Sequence, residues 1–196
     1  MRKLAMMLGG VALLAACSNN PRTEPVAAVA ADPNNPLMAP GYMAMAGSSD
    51  QFEIQSSQLA HQRAQNPAVH NMANMLIADH TRSTQMLMAA AQSAGLTPPP
   101  PALLPDDQAM LQQLQAAGSG PAFDMAFQQI QLQAHQKALA LHQNYSAQGD
   151  VPALRTVAGQ IVPVIQMHLQ HAQSLAVAPP PPPPAPPPVR RSGERG

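Results

Sequence analysis

Residues 66–95 read NPAVHNMANMLIADHTRSTQMLMAAAQSAG, and their pattern decides the fold. Asn66 is a capping residue and Pro67 suits the first helical position, where its missing N–H is not needed. Gly95 is a stop signal, followed by prolines from Pro98 onward that cannot continue a helix. Between these limits Val69, Met72, Ala73, Leu76, Ile77, Thr84, Leu87 and Ala91 recur at three- and four-residue spacing. That is one apolar face of a long amphipathic helix. His80 sits in that face at mid-helix, next to Asp79.

Working outward, the same periodicity recurs. A helix is expected from Ser49 to Gln65, with Phe52, Ser56, Leu59, Ala60 and Arg63 sharing a face with Glu53. Asp50-Gln51-Phe52-Glu53 has the form of a capping box at its start. Four consecutive prolines, Pro98–Pro101, keep the next connection non-helical. A short helix follows over Asp106–Ala117, with Met110, Leu111 and Leu114. A third long helix runs from Pro121 to about Gln148, carrying Phe123, Phe127, Ile130, Ala134, Ala138, Leu141 and Tyr145 on one side. A fourth runs from Pro152 to about Ala176, with Leu154, Val157, Ala158, Ile161, Ile165, His168 and Ala172 facing in. Pro163 inside it predicts a kink and not a stop, because the stripe continues beyond it.

Two helical hairpins joined by one long excursion predict an all-α, ferritin-like four-helix bundle whose crossover carries a short extra helix. Composition agrees: aromatics are 3% of the 196 residues, Trp is absent, and Ala, Leu, Met and Gln are abundant, which suits close helix packing better than a sheet. Formal net charge is zero, and the segment 50–176 has four basic against seven acidic residues, so charge gives no support for a nucleic-acid partner. One Cys allows neither an internal disulfide nor a Cys-based metal site.

The ends of the chain read differently. Arg2 and Lys3 precede a short apolar run, Leu4–Leu14, and then Leu14-Ala15-Ala16-Cys17. This resembles the lipobox of bacterial lipoprotein signal peptides. The resemblance implies a signal peptide over 1–16, cleavage before Cys17, and acylation of that Cys, including palmitate. Ser18 after the Cys resembles the outer-membrane sorting pattern, on the periplasmic side. Residues 17–47 are rich in Pro, Ala, Asn and Gly and read as a disordered tether, with Met38, Met43 and Met45 in it. The folded domain is expected over 48–177. After it, 178–196 hold a proline run, expected as stiff polyproline II, and a basic tip with Arg190, Arg191 and Arg195 that suits anionic envelope polymer or lipid headgroups.

Four blocks in order, FEIQSSQLAHQRAQNPAV, MLIADHT, GPAFDMAFQQIQLQAHQKAL and IVPVIQMHLQHA, resemble a ferritin-like bacterial envelope family of unknown function, often labelled outer membrane proteins. The resemblance spans about 51–173. It implies a fold and an envelope location, and carries no activity.

The chemistry lies in polar residues on apolar faces. Reflecting the first hairpin through Asn66-Pro67 sets His80 opposite Glu53. Reflecting the second through Gly149-Asp150 sets His135 opposite residue 164, with His168 about four residues off level, roughly 6 Å. Glu53, His80, His135 and His168 are therefore the candidate metal ligands, a set suited to Cu, Zn or Fe. No Glu-x-x-His occurs, so the bridging carboxylates of ferritin-like di-iron sites are missing. The alternative for the same residues is a buried hydrogen-bonded network with Asp79 and Gln131. His61, His70, His142 and His171 read as surface residues, and Met72, Met75, Met86, Met88, Met125 and Met167 as core filler. No nucleophile elbow, phosphate loop or dinucleotide fingerprint appears. Two functions stay open: a non-enzymatic envelope lipoprotein, or a periplasmic metal-binding bundle with stress or redox chemistry.

Overall fold

Five helices account for the structure, a computed structural model that describes residues 34–100, 102–177 and 179. The expected signal peptide, Cys17, most of the tether and the Arg190, Arg191 and Arg195 tip lie outside those residues. The helices are α1 (Ala39–Arg63), α2 (Pro67–Ser93), α3 (Pro105–Ala116), α4 (Pro121–Gln148) and α5 (Pro152–Ser174). Among the described residues there is no strand, so the protein is all-α. None of these helices is long and apolar enough to cross a membrane.

Local chemistry sets each boundary. The Asn66 side chain accepts from Ala68 N at 2.9 Å, and Pro67 opens α2. Gly95, at φ 72°, closes it. Leu96 N donates to Ala91 O and Gly95 N to Gln92 O, the paired bonds of a Schellman stop. α5 continues through Pro163 without a break.

The helices pair as two hairpins, α1 with α2 and α4 with α5. α1 also packs on α4, and α2 on α5, with α3 lying against α1 and α4. The long connection carries α3 back along the bundle, so that α4 starts beside the end of α1. Gly120 N donates to Arg63 O at 2.7 Å, and the Asp124 carboxylate accepts from Gln65 N and Asn66 N. Each of the four long helices thus runs antiparallel to both neighbours, as two hairpins joined by one long crossover require. Ser48 fixes the crossover to α1: its hydroxyl donates to Asp107 and accepts from Leu104 N.

One boundary differs from expectation. α1 begins at Ala39, ten residues before the predicted Ser49, so 39–47 is helix and not tether. Pro40 sits in the first turn, and Ala39, Tyr42, Met43 and Ala46 are buried at helical spacing. Gly47 and the serines after it read as breakers. A side chain at Gly47 would meet nothing within 4 Å, so its cost is only the ~1 kcal/mol of a helical glycine, and packing outweighs it.

The core has two apolar halves. One gathers Phe52, Leu76, Leu114, Phe123 and Phe127 near the α1–α2 turn. The other gathers Tyr42, Leu87, Tyr145, Leu154 and Ile165 near the α4–α5 turn. Between them lies a layer of buried polar side chains.

Candidate metal centre

His80 of α2, His135 of α4 and His168 of α5 converge in that layer, all buried. One nitrogen from each ring lies within 4.8 Å of the others. Their ring centroids stand 5.2 to 5.6 Å apart. The approach of His135 and His168 is closer than the reflected register predicted. α4 and α5 run antiparallel, and helical side chains lean toward their own N-termini. His135 and His168 therefore lean toward each other, which brings His135 Nε2 to 3.2 Å from His168 Nδ1.

Each ring has its outward nitrogen engaged by an acceptor. Asp50 Oδ1 lies 2.8 Å from His80 Nδ1. Gln131 O lies 2.9 Å from His135 Nδ1. Asp79 Oδ2 lies 2.9 Å from His168 Nε2. Acceptors can be satisfied only by N–H, so in the neutral rings the inward nitrogens carry lone pairs. Two of those lone pairs, on His135 Nε2 and His168 Nδ1, then face each other at 3.2 Å. His80 Nε2 is buried with no hydrogen-bond partner. A polar set that points electron density at one spot suits a cation, and outer acceptors that fix the tautomer are what metal-ligating histidines usually have.

The electrostatics sort the three rings. Burial pushes His135 well below the ordinary histidine range, and the charges of His80 and His168 add to that. Burial likewise takes His168 down to about 4, against the hydrogen bond it donates to Asp79. Burial also disfavours the His80 imidazolium, but the hydrogen bond and charge of Asp50, with Glu53 and Asp79 behind, outweigh it and raise the group. His80 is thus the ring that holds a proton most readily, while the other two stay neutral.

Glu53 is placed differently from expectation. It is neither an N-cap residue nor one of the three converging donors. Its Oε1 lies 3.4 Å from His135 Nδ1, on the outward side of that ring, and both oxygens are buried without a hydrogen-bond partner. Burial is the main reason its carboxyl rises to about 7, with His80 and Gln131 opposing. The residue that meets His80 is Asp50, one turn earlier. The hairpin reflects through Gln65, the middle of the three-residue connection between Arg63 and Pro67, and not through Asn66-Pro67. A helix starting at Ser49 would make Asp50 a cap; in the helix that starts at Ala39 it is a buried mid-helix partner.

Other expectations are corrected as well. His142 is not on the surface: it is 2% exposed, and its Nδ1 takes a hydrogen bond from Tyr42 OH at 2.9 Å. Tyr42 in turn stacks on Tyr145 at 3.7 Å. Met88 and Met167 are exposed and so do not fill the core. A cavity of about 460 Å³ between α2 and α5, lined by Asp79, His80, Ser83, Ile161, Ile165 and His168, leads from solvent to the histidines.

Known structures share this architecture. CopM in the Cu(II)-bound form is similar with a TM-score of 0.59 at 19% identity, over 69% of this chain and 93% of that one. CopM in the Ag-bound form is similar with a TM-score of 0.56 at 20% identity, over the same shares. At such identities the likeness is one of fold. No curated protein matches the chain. Residues 24–175, which take in all five helices and the three converging histidines, match the model of one family. The chain therefore belongs to the DUF4142 family, a domain of unknown function.

Proposed function

We propose that this protein binds a transition-metal ion in the core of its bundle, as a non-enzymatic protein of the bacterial cell envelope. The observation that carries the reading is the convergence of one nitrogen from each of His80, His135 and His168 within 4.8 Å of one another, with His80 Nε2 buried and unpartnered. Three imidazoles on a tetrahedral ion at 2.0–2.1 Å stand about 3.3 Å apart. His135 and His168 already meet that separation at 3.2 Å, and drawing in His80 completes the set. Three neutral nitrogen donors and a vacant fourth position suit Cu²⁺ or Zn²⁺. The fold shared with a copper- and silver-bound protein adds support. The lipobox at Cys17 would anchor the domain at the outer membrane, periplasmic side, and the Arg190, Arg191 and Arg195 tip would contact anionic polymer or headgroups.

Metal linkage tests the reading. An ion that binds only the folded state raises the melting temperature. We expect Cu²⁺ or Zn²⁺ to raise it at pH 7 to 8, less so toward pH 5, where the ion competes with the His80 proton. His80→Gln keeps a hydrogen-bonding group but removes the ligand, and abolishes the shift. Fe²⁺ serves as the comparison, since among the described residues no carboxylate joins the three converging nitrogens. No ion-dependent shift, or the same shift in the variant, would leave a hydrogen-bonded structural core in place of a metal site.

A further inference from the structure

A second cluster of ligating atoms lies outside the core. His171 Nδ1 of α5 is 3.2 Å from Met75 Sδ of α2. Asp79, one turn along α2 from Met75, bonds His168, one turn back along α5 from His171. The two pairs therefore follow each other along one seam, about 5.4 Å apart by the helical pitch. The outer pair opens on a groove of about 260 Å³ that Met72 and Asn71 also line. His171 is exposed, Met75 is partly covered, and Met72 is 3% exposed, so the groove has a wet mouth and a thioether floor.

We infer that His171 and Met75 form a separate soft-metal site that takes a monovalent cation of the Cu⁺ class, with Met72 available from the groove wall. A thioether is a weak hydrogen-bond acceptor, so the contact gains little as a hydrogen bond. As a ligand pair it is well set. With metal–nitrogen and metal–sulfur bonds of about 2.0 and 2.3 Å, the present separation corresponds to an angle at the ion of roughly 95°. No helix has to move to accept it. Thioether sulfur selects soft monovalent copper, whereas the all-imidazole core suits the divalent ion. The site stands whether or not the core binds metal.

Ag⁺ is the redox-inert probe. The full chain, labelled at its methionine methyl groups, is titrated with silver nitrate in chloride-free buffer and followed by NMR. The Met75 and Met72 methyl resonances should shift by the first equivalents, while Met125 of α4 stays in place. Met75→Leu, which keeps the volume and the fold, and His171→Gln should each weaken Ag⁺ binding at least tenfold and remove the Met72 shift. His80→Gln should leave the seam response unchanged, which separates this site from the core. An unmoved Met75 methyl at one equivalent, or undiminished Met72 response in Met75→Leu, overturns the assignment. So does loss of the seam response in His80→Gln, which would mean that silver acts only through the core.

Discussion

Glu53→Gln should stabilise the metal-free protein, and only at high pH. The carboxyl is wholly buried between α1 and α4, with no hydrogen-bond partner for either oxygen. Burial, opposed by His80 and Gln131, raises it from 4.5 to about 7. A carboxyl raised in the folded state supports folding fully below 4.5, and that support is lost as pH rises through about 7. At 1.36 kcal/mol per tenfold change, ionising it at pH 8 costs about 3 kcal/mol, against under about 1 kcal/mol at pH 5. Gln has the same shape and no charge, so the substitution removes that pH-dependent loss. The histidines make the raw profile a mixture. His80, raised, loses its contribution as pH rises above the ordinary histidine value. His135, His168 and His142, lowered, lose theirs as pH falls below it. Subtracting wild type from variant cancels His168 and His142 and leaves Glu53, with smaller changes at His80 and His135, which each lose a neighbouring carboxylate. Urea unfolding at pH 5 and pH 8 in the presence of a chelator reads the difference. Equal effects at the two pH values, or a loss at pH 8, would refute the reasoning: the carboxylate would then be ionised and needed as a counter-ion.

Three further outcomes are expected. Gly149→Ala places a Cβ 2.6 Å from the Tyr145 ring, which is buried, stacked on Tyr42 and tied to Asp150, so calorimetry should show a lower melting temperature from about 1–3 kcal/mol of overpacking. Tyr42→Phe strips the hydroxyl from buried His142 Nδ1 and should cost about 1–3 kcal/mol in denaturant unfolding, with the helical far-UV spectrum retained. Cys17→Ala should move the protein from the membrane pellet to the soluble fraction with its helicity intact; retention in the pellet would argue against a lipid anchor.

The helices were legible because their apolar periodicity and end signals agree: the expected limits of α2, α4 and α5 lie within two residues of those found. The start of α1 was not, because Gly47 and two serines look like punctuation when their packing cannot be seen. That one boundary carried through to the site. It turned Asp50 from a buried partner into a cap, and it left Tyr42 in a tether. His80, His135 and His168 could be chosen from stripe position and depth. Which acceptor holds each ring depends on the centre of the α1–α2 connection and on the opposed lean of α4 and α5, and spacing alone supplies neither. His142 looks like a surface residue in sequence because its partner, Tyr42, lies in a segment whose composition resembles a tether.

The polar layer also bears on how the chain finds its alignment. A bundle filled with Ala, Leu and Met offers many sliding positions of similar packing, since such side chains interlock loosely. Here a slip of α2 by one turn, about 5.4 Å, would draw His80 off Asp50 toward apolar neighbours of α1 such as Ala46, set Leu76 or Leu87 nearer Asp50, and leave two buried polar groups unpartnered. His168 and Asp79 impose the same condition on α5. The layer works as a dowel set through four rods: it adds little attraction of its own, but only one axial alignment lets it seat.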